Sequence, residues 1–214
     1  MKQKTKSLLA LLLTASLVLL TFTSVPASAE ENDTAYKAAY LKLIQELRKG
    51  NDVSEEGFDR FKLIYLDNDR IPELLAVDTP SDEYDNNNTY VYVIYTFYNG
   101  KAVELGEYQS GVASAGGYRG NTYYIKKSGK IFESYHDSAS GDGKDTVYSL
   151  QDGKMNAIAE GEFNIASDDT TWNGKAMNST KYNKKLNKVF KLKKAISFEE
   201  IKTISYSSMK KKLK

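Results

Sequence analysis

Apolar residues recur every three or four positions over residues 33–49, which is the spacing of one face of an α-helix. Asp33 can cap the start of this segment, and the polar stretch 49–52, with Gly50 inside it, ends it. The pattern therefore predicts an N-terminal helix. Its apolar stripe consists of Tyr36, Ala39, Tyr40, Leu43, Ile44 and Leu47.

The next apolar segments have the shorter period of β-strands. Residues 61–66 and 73–77 are predicted to form a strand pair joined by a tight polar loop. Residues 80–88 are polar and are predicted to form a loop. Residues 89–98 are apolar or aromatic on both alternating faces, which favours a central strand that is covered on both sides.

A polar-Gly-Lys turn signal then recurs at Asn99-Gly100, Ser128-Gly129, Asp152-Gly153 and Asn173-Gly174. The first three lie between strand-like runs, and such pairs favour tight hairpin turns because both residues tolerate a positive φ. We therefore expect an antiparallel meander of about six to nine strands, as a curved sheet or a barrel. The predicted hairpins pair Tyr90–Tyr98 with Lys101–Tyr108, Thr122–Lys127 with Lys130–Tyr135, and Asp145–Leu150 with Lys154–Phe163.

The C-terminal part is predicted to be helical. A short helix is expected over Lys181–Val189. Ser197, with Glu200 three residues later, forms a capping box that predicts a second helix through Tyr206. These elements give an α+β fold with an N-terminal helix, an antiparallel meander and C-terminal helices, in a single domain over residues 30–209 with a basic tail at 210–214.

The first 29 residues have the three parts of a secretory signal peptide. Lysines at positions 2, 4 and 6 precede the apolar run Leu8–Phe22, and Val25–Ala29 ends in an Ala-x-Ala site. Cleavage before Glu30 is expected, which predicts a secreted protein that is extracellular or associated with the cell wall. The alternative is an uncleaved anchor, but the apolar run is shorter than the roughly 20 residues that span a bilayer. No transmembrane segment is expected in the mature chain.

The composition excludes several chemistries. The chain of 214 residues contains no cysteine and one histidine, His136, so a disulfide framework, a thiolate metal site and a thiol nucleophile are excluded. A secreted protein without cysteine is typical of a Gram-positive bacterium. A Ser–His–Asp triad through His136 and Asp137 lacks the Gly-x-Ser-x-Gly turn, so a solvated loop histidine is expected.

Charge is distributed unevenly along the chain. Residues 181–214 hold twelve lysines and two acids, whereas residues 30–180 hold 15 basic and 26 acidic residues. One interpretation is a solvated helical face attracted to the acidic body of the protein. The other is a surface, centred on Lys210, Lys211 and Lys212, that meets an anionic cell-envelope polymer. Outside the cell, nucleic acid is not the expected partner.

The acidic loop between the first two strands is the sharpest candidate site. Asp67, Asp69 and Glu73 offer closely spaced oxygen ligands of the kind that Ca²⁺ prefers. Tyr65 stands where a calcium loop would begin with an acid, and Arg70 stands where it would have glycine. The alternative is a polar hairpin in which Asp67 and Asp69 accept backbone N–H groups.

The segment Phe61–Leu75, which reads FKLIYLDNDRIPELL, resembles the "DIDGDGIPELL" signature of uncharacterised secreted proteins of Firmicutes. The stretches Tyr95–Lys101, Trp172–Lys175 and Tyr182–Lys184 are similar to the rest of that pattern. The resemblance implies an extracellular α+β domain and no assigned activity. The departures at Tyr65 and Arg70 weaken an inherited metal role.

Two further segments are candidates for ligand binding. The Gly-rich stretch 111–120 is interpreted as a connecting loop or a ligand-facing loop. Sixteen tyrosines and Trp172 could form a carbohydrate- or peptide-binding face, or could be half-buried on the sheet. We therefore expect a secreted non-enzymatic binding module without a required cofactor. The alternatives are a calcium-binding module and a hydrolase acting through carboxylates.

Overall fold

The computed structural model describes residues 29–49, 58–78, 88–113 and 117–214. The predicted signal peptide, except for Ala29, and the predicted loop 80–88, except for Asn88, lie outside these residues. There are three helices in the described residues, α1 (Ala29–Leu47), α2 (Ser179–Val189) and α3 (Tyr206–Lys212), and two 3₁₀ turns, Leu192–Lys194 and Phe198–Glu200. The strands are β1 (Arg60–Ile64), β2 (Glu73–Asp78), β3 (Asn88–Tyr98), β4 (Lys101–Val112), β5 (Tyr118–Ile125), β6 (Lys130–Asp137), β7 (Asp142–Gln151), β8 (Lys154–Asn164), β9 (Thr170–Trp172), β10 (Lys175–Met177), β11 (Ile196–Ser197) and β12 (Ile204–Ser205).

All twelve described strands belong to one antiparallel sheet. Strands β1 to β10 follow one another as a meander, β12 pairs with the free edge of β1, and β11 pairs with β5. The predicted α+β fold with six to nine strands is therefore wrong: the protein is mostly an open antiparallel sheet with short helices. Strands β9 to β12 are only two or three residues long, and segments that short show no hydrophobic alternation in a sequence.

Two of the three predicted two-residue hairpins are confirmed. Tyr98 pairs with Lys101 and Gln151 pairs with Lys154, with a positive φ at both residues of each turn. The turn at Ser128-Gly129 is longer, because the flanking pair is Ile125 and Lys130. Asn-Gly and Asp-Gly accept this left-handed backbone at little cost, which is why the signal could be recognised in the sequence.

The sheet bends sharply between β4 and β5. These strands pair only through Gly111 with Gly120 and Val112 with Arg119. Farther along the same edge, β5 pairs with β11 instead. We call β1–β4 with β12 the first half, and β5–β11 the second half. Because side chains of β2 and β6 share one hydrophobic cluster, the two halves face each other.

Three hydrophobic clusters fill the spaces between the layers. The first core lies between α1, α3 and the first half, the middle core lies between the two halves, and the third core lies between the second half and α2. On β3, Val93 and Tyr95 face the first core while Tyr92 and Ile94 face the middle core. Strand β3 is thus covered on both faces, as its pattern predicts.

The predicted helix from Ser197 through Tyr206 is wrong. The Ser197 hydroxyl does accept the N–H of Glu199, but the turn that it caps ends at Ile201. Phe198 is 1% exposed and fills the middle core, and the chain then extends so that β12 can pair with β1. Local capping is overridden here by burial of one aromatic ring and by sheet pairing.

The C-terminal residues predicted as a basic tail continue α3. This helix begins at its cap Ser205 and runs to Lys212. Met209 and Leu213 are 1% and 3% exposed and belong to the first core. The lysines between them lie on the remaining surface of the helix. Among the described residues, no helix combines the length and apolar character needed to cross a bilayer.

Candidate metal centre

The loop between β1 and β2 is shaped by its own acidic side chains. Asp67 Oδ1 accepts a hydrogen bond of 3.0 Å from the N–H of Asp69, and Asp69 Oδ1 accepts one of 2.7 Å from the N–H of Ile71. Two successive turns of this kind fix the backbone between Asp67 and Ile71. The hydrogen bonds of the polar-hairpin interpretation are therefore present. They use Oδ1 of each aspartate.

Glu73 is the buried member of the site. As the first residue of β2 it pairs with Ile64, and its side chain is 1% exposed. Oε2 accepts a hydrogen bond of 2.7 Å from the N–H of Leu66, and Oε1 lies 3.4 Å from the donor hydroxyl of Thr96 on β3. The carboxylate is thus held by three consecutive segments of the first half.

The structure brings the three predicted ligands together. Asp67, Asp69 and Glu73 each offer one carboxylate oxygen, and these oxygens all lie within 4.8 Å of one another. One Ca²⁺ with ligands at 2.3–2.6 Å can bridge oxygens up to about 5 Å apart. The spacing of the three oxygens therefore suits a single cation.

Burial makes the Glu73 carboxyl group a weak acid. Removal from water is the main cause that raises the pKa of Glu73 to about 8. The nearby Asp67 and Asp69 carboxylates contribute to this rise, and the hydrogen bond from the N–H of Leu66 opposes it. Burial also raises the pKa of Asp69. At neutral pH the site holds a proton on Glu73 unless a cation replaces it.

The two sequence departures do not block the site. Tyr65 is 40% exposed, and its ring lies 5.9 Å from the ammonium group of Lys126. Arg70 is exposed, and within the described part of the chain it forms no ion pair with a carboxylate. Sequence reasoning missed Thr96 and Tyr40. Tyr40 lies on α1, and its hydroxyl donates a hydrogen bond to the carbonyl of Tyr95. Burial and the nearby Glu73 and Asp69 raise the pKa of this hydroxyl.

The acidic loop is also fixed from the second half of the sheet. In the β5–β6 turn, the N–H of Lys127 donates to Tyr65 O at 2.9 Å, and the N–H groups of Ser128 and Gly129 both donate to Leu66 O at 2.8 Å. The carbonyl of Leu66 accepts from the turn while its N–H donates to Glu73. A cation at the acidic loop would therefore reinforce the junction of the two halves.

The remaining candidates lie at separate places on the sheet. His136 on β6 pairs with Arg119, and Asp137 Oδ1 is occupied by the N–H groups of Ala139 and Ser140. The Gly-rich stretch joins β4 to β5, and its residues 114–116 lie outside the described residues. Trp172 is 5% exposed and packs edge-on against Tyr182, so it is part of the third core and not of an exposed binding face.

A groove of about 670 Å³ lies where the first half meets the second 3₁₀ turn. Its walls combine aromatic rings with charged groups of both signs. The lining residues are Asp59, Arg60, Val77, Tyr90, Tyr92, Phe198, Glu199, Ile201 and Thr203. The groove thus offers both stacking surfaces and hydrogen-bonding groups.

Comparisons with protein-family models, with curated proteins and with solved structures found no match to the chain.

Proposed function

We propose that the protein is a secreted, non-enzymatic binding module of the bacterial cell surface, and that Ca²⁺ bound by Asp67, Asp69 and Glu73 stabilises its fold. The single observation that carries the proposal is the buried Glu73 carboxylate, with one oxygen from each aspartate within 4.8 Å. The secretory signal pattern at the N-terminus supports the location.

The donor set favours Ca²⁺ over other cations. All three side chains offer oxygen, and neither histidine nor cysteine takes part. Ca²⁺ accepts irregular oxygen coordination, whereas Mg²⁺ demands near-octahedral geometry and retains its waters. Three carboxylates in a loop without the calcium-loop glycine favour a weak site, with a Kd of about 10⁻⁴–10⁻³ M, as in extracellular modules.

Burial of Glu73 argues against the hydrolase alternative at this site. A carboxyl group with a raised pKa is the usual general acid of a glycosidase, but it must touch the bond that it protonates. Glu73 is 1% exposed and lies beneath its own loop, so a substrate cannot reach it. The raised pKa is better explained by an enclosed site that exchanges a proton for a cation.

The groove supports the binding role. Tyr90 and Tyr92 are neighbours on β3 with ring centroids 6.4 Å apart, and Arg60 is held in place by a hydrogen bond of 3.1 Å to the Thr203 hydroxyl. Rings and a positioned guanidinium give contact area together with polar anchoring. Both tyrosines lie on β3, which pairs with β2 and β4 and is covered on both faces.

The test of the cation site is thermal unfolding of the mature chain with and without Ca²⁺. We expect about 10 mM Ca²⁺ to raise the Tm, by the mass-action stabilisation of a ligand that binds only the folded state. Asp67→Asn should abolish the rise, whereas Asp168→Asn, at an exposed acid outside the site, should leave it unchanged. The Ca²⁺ affinity should increase from pH 6 to pH 8 as Glu73 loses its proton. An unchanged Tm in the wild-type protein, or the same rise in Asp67→Asn, would overturn the calcium proposal.

Secretion is tested separately. Expression of the full chain in a Gram-positive host should release a protein whose first residue is Glu30. Retention of the intact N-terminus in the cell would contradict secretion and would leave the calcium site unaffected.

A further inference from the structure

The outward face of α2 carries a row of lysines, and the turn after the helix carries three more. We call these seven lysines the lysine face. Within α2 the lysines recur at the i, i+3, i+4, i+7 spacing that places side chains on one side of a helix. Three further lysines follow within six residues of the last α2 lysine, and all seven ammonium-bearing side chains are exposed. The lysine face consists of Lys181, Lys184, Lys185, Lys188, Lys191, Lys193 and Lys194.

Packing fixes the direction in which the lysine face points. Tyr182 and Leu186, on the opposite side of α2, are 5% and 4% exposed and belong to the third core. The Tyr182 hydroxyl donates a hydrogen bond of 2.7 Å to Asp145 Oδ2 on β7. The helix therefore cannot roll to bury its lysines, and the lysine face is a permanent feature of the surface.

The charge of the lysine face is not neutralised by the protein itself. Within the described residues none of the seven lysines has a carboxylate oxygen within 4.0 Å, and the sequence has no acid between Asp169 and Glu199. The interpretation that these lysines are attracted to the acidic body is not supported by any contact. Seven exposed lysines within residues 181–194, none paired with a carboxylate in the described part of the chain, create a positive field that attracts a polyanion.

The chemistry of the lysine face indicates what kind of polyanion fits. The exposed residues between the α2 lysines are polar, with Asn187 donating a hydrogen bond of 2.9 Å to Asn183 O. The apolar side of the helix, which would enter a lipid bilayer, is already buried in the third core. Lysine binds phosphate as a point charge, and the α2 lysines span about 10 Å of helix, enough to follow several phosphates of a flexible chain.

We propose that the lysine face docks an anionic phosphodiester polymer of the cell envelope. The proposal deepens the proposed function, because it names the partner class of the surface module, and it uses none of the calcium-site residues. It also moves the envelope contact away from Lys210, Lys211 and Lys212, which lie on α3 beside the first core.

The test compares two variants that lose the same charge. One replaces Lys181, Lys184, Lys185 and Lys188 with glutamine. The other replaces four exposed lysines elsewhere, Lys49, Lys101, Lys154 and Lys175, with glutamine. Soluble poly(glycerol phosphate) is the probe, titrated against the mature protein at several salt concentrations. Circular dichroism and the Tm of each variant establish that α2 remains folded.

We expect the α2 variant to bind at least tenfold more weakly and the control variant to stay within twofold of the wild-type protein. Each lost phosphate contact should reduce the slope of log K against log salt by about 0.7–1. No wild-type binding at low salt, or equal losses in the two variants, would overturn the proposal. Binding of the wild-type protein to phosphatidylglycerol vesicles without binding to the polymer would also overturn it. A missing Tm rise with Ca²⁺ would remove the calcium site and leave the lysine face standing, so the two failures are distinguishable.

Discussion

The Glu73 carboxylate and the backbone N–H of Leu66 form a hydrogen bond of 2.7 Å that closes the acidic loop from inside. Leu66 is fully buried, and its carbonyl accepts two further bonds from the β5–β6 turn. One residue thus links the buried acid to the opposite half of the sheet. A change in the charge of Glu73 should therefore change the free energy of unfolding of the whole protein.

The stability of the calcium-free protein should fall between pH 5 and pH 8. The pKa of Glu73 is raised from its ordinary value of 4.5 to about 8 in the folded state, so the folded state binds more protons across this range. The stabilisation is complete below pH 4.5 and is lost as the pH rises through 8. At about 1.36 kcal/mol for each pKa unit, the loss is on the order of 4 kcal/mol.

Urea unfolding at pH 5, 6.5 and 8 in the presence of a chelator measures this loss. Glu73→Gln should flatten the pH dependence, because the amide keeps the shape of the group and does not titrate. A wild-type protein whose stability increases from pH 5 to pH 8 would contradict the assignment of a proton to Glu73.

The Asp145–Tyr182 pair should respond asymmetrically to substitution. Asp145 is 5% exposed, and burial raises the pKa of its carboxyl group, although the nearby Ser134 hydroxyl opposes this rise. Its Oδ1 has no hydrogen-bond partner. Tyr182→Phe leaves the carboxylate without its 2.7 Å donor and should cost about 1–3 kcal/mol at pH 8.

Asp145→Asn is the matched substitution for this pair. It keeps an acceptor for Tyr182, supplies a donor towards Ser134 and removes a buried charge, so the variant should be at least as stable as the wild-type protein at pH 8. The free energy of unfolding in urea decides the comparison. A large loss for Asp145→Asn together with none for Tyr182→Phe would reverse the proposed roles.

Gly161 on β8 should be intolerant of a side chain because Tyr182 lies against it. A Cβ at this position would come within 2.1 Å of the Tyr182 hydroxyl, so the ring and α2 would have to move. We expect Gly161→Ala to destabilise the protein by about 1–3 kcal/mol, as overpacking of a core does. Chemical denaturation of Gly161→Ala in the Tyr182→Ala background provides the check, since the loss should shrink once the ring is gone. An undiminished loss would point to the backbone of β8.

Much of the fold could be predicted from local signals in the sequence. The hairpin turns at Asn99-Gly100 and Asp152-Gly153 could be predicted because a left-handed turn backbone favours these residue types. Asp67, Asp69 and Glu73 could be named because they lie within seven residues of one another along the chain. Such features depend only on neighbouring residues, and the structure retains them.

Features that depend on contacts between residues distant in the sequence could not be predicted in this way. The Gly-rich stretch 111–120 marks a connection, but the pairing of β4 with β5 at its ends through only two residue pairs, and the bend that follows, are not encoded locally. The approach of Thr96 to Glu73 depends on the register of β2 with β3. Ser197 carries a correct capping signal, yet the helix stops because Phe198 is drawn into the middle core. The predicted helix is therefore wrong because burial of Phe198 outweighs the local helix-capping signal of Ser197.

The last helix should matter for stability through its apolar residues and not through its lysines. Met209 and Leu213 are 1% and 3% exposed in the first core, so deletion of residues 209–214 removes two buried side chains. Loss of a buried Met or Leu side chain costs about 2–5 kcal/mol, and at about 2–4 °C for each kcal/mol the Tm should fall by roughly 8 °C or more. Replacing Lys211 and Lys212 with glutamine removes two exposed charges of the same helix and should leave the Tm within about 2 °C. Differential scanning calorimetry of the deletion, of Met209→Ala and of the double lysine variant distinguishes the contributions. If the deletion left the Tm unchanged, α3 would not be docked on the first core, and the charge of the C-terminal lysines would again be free to act as a tail.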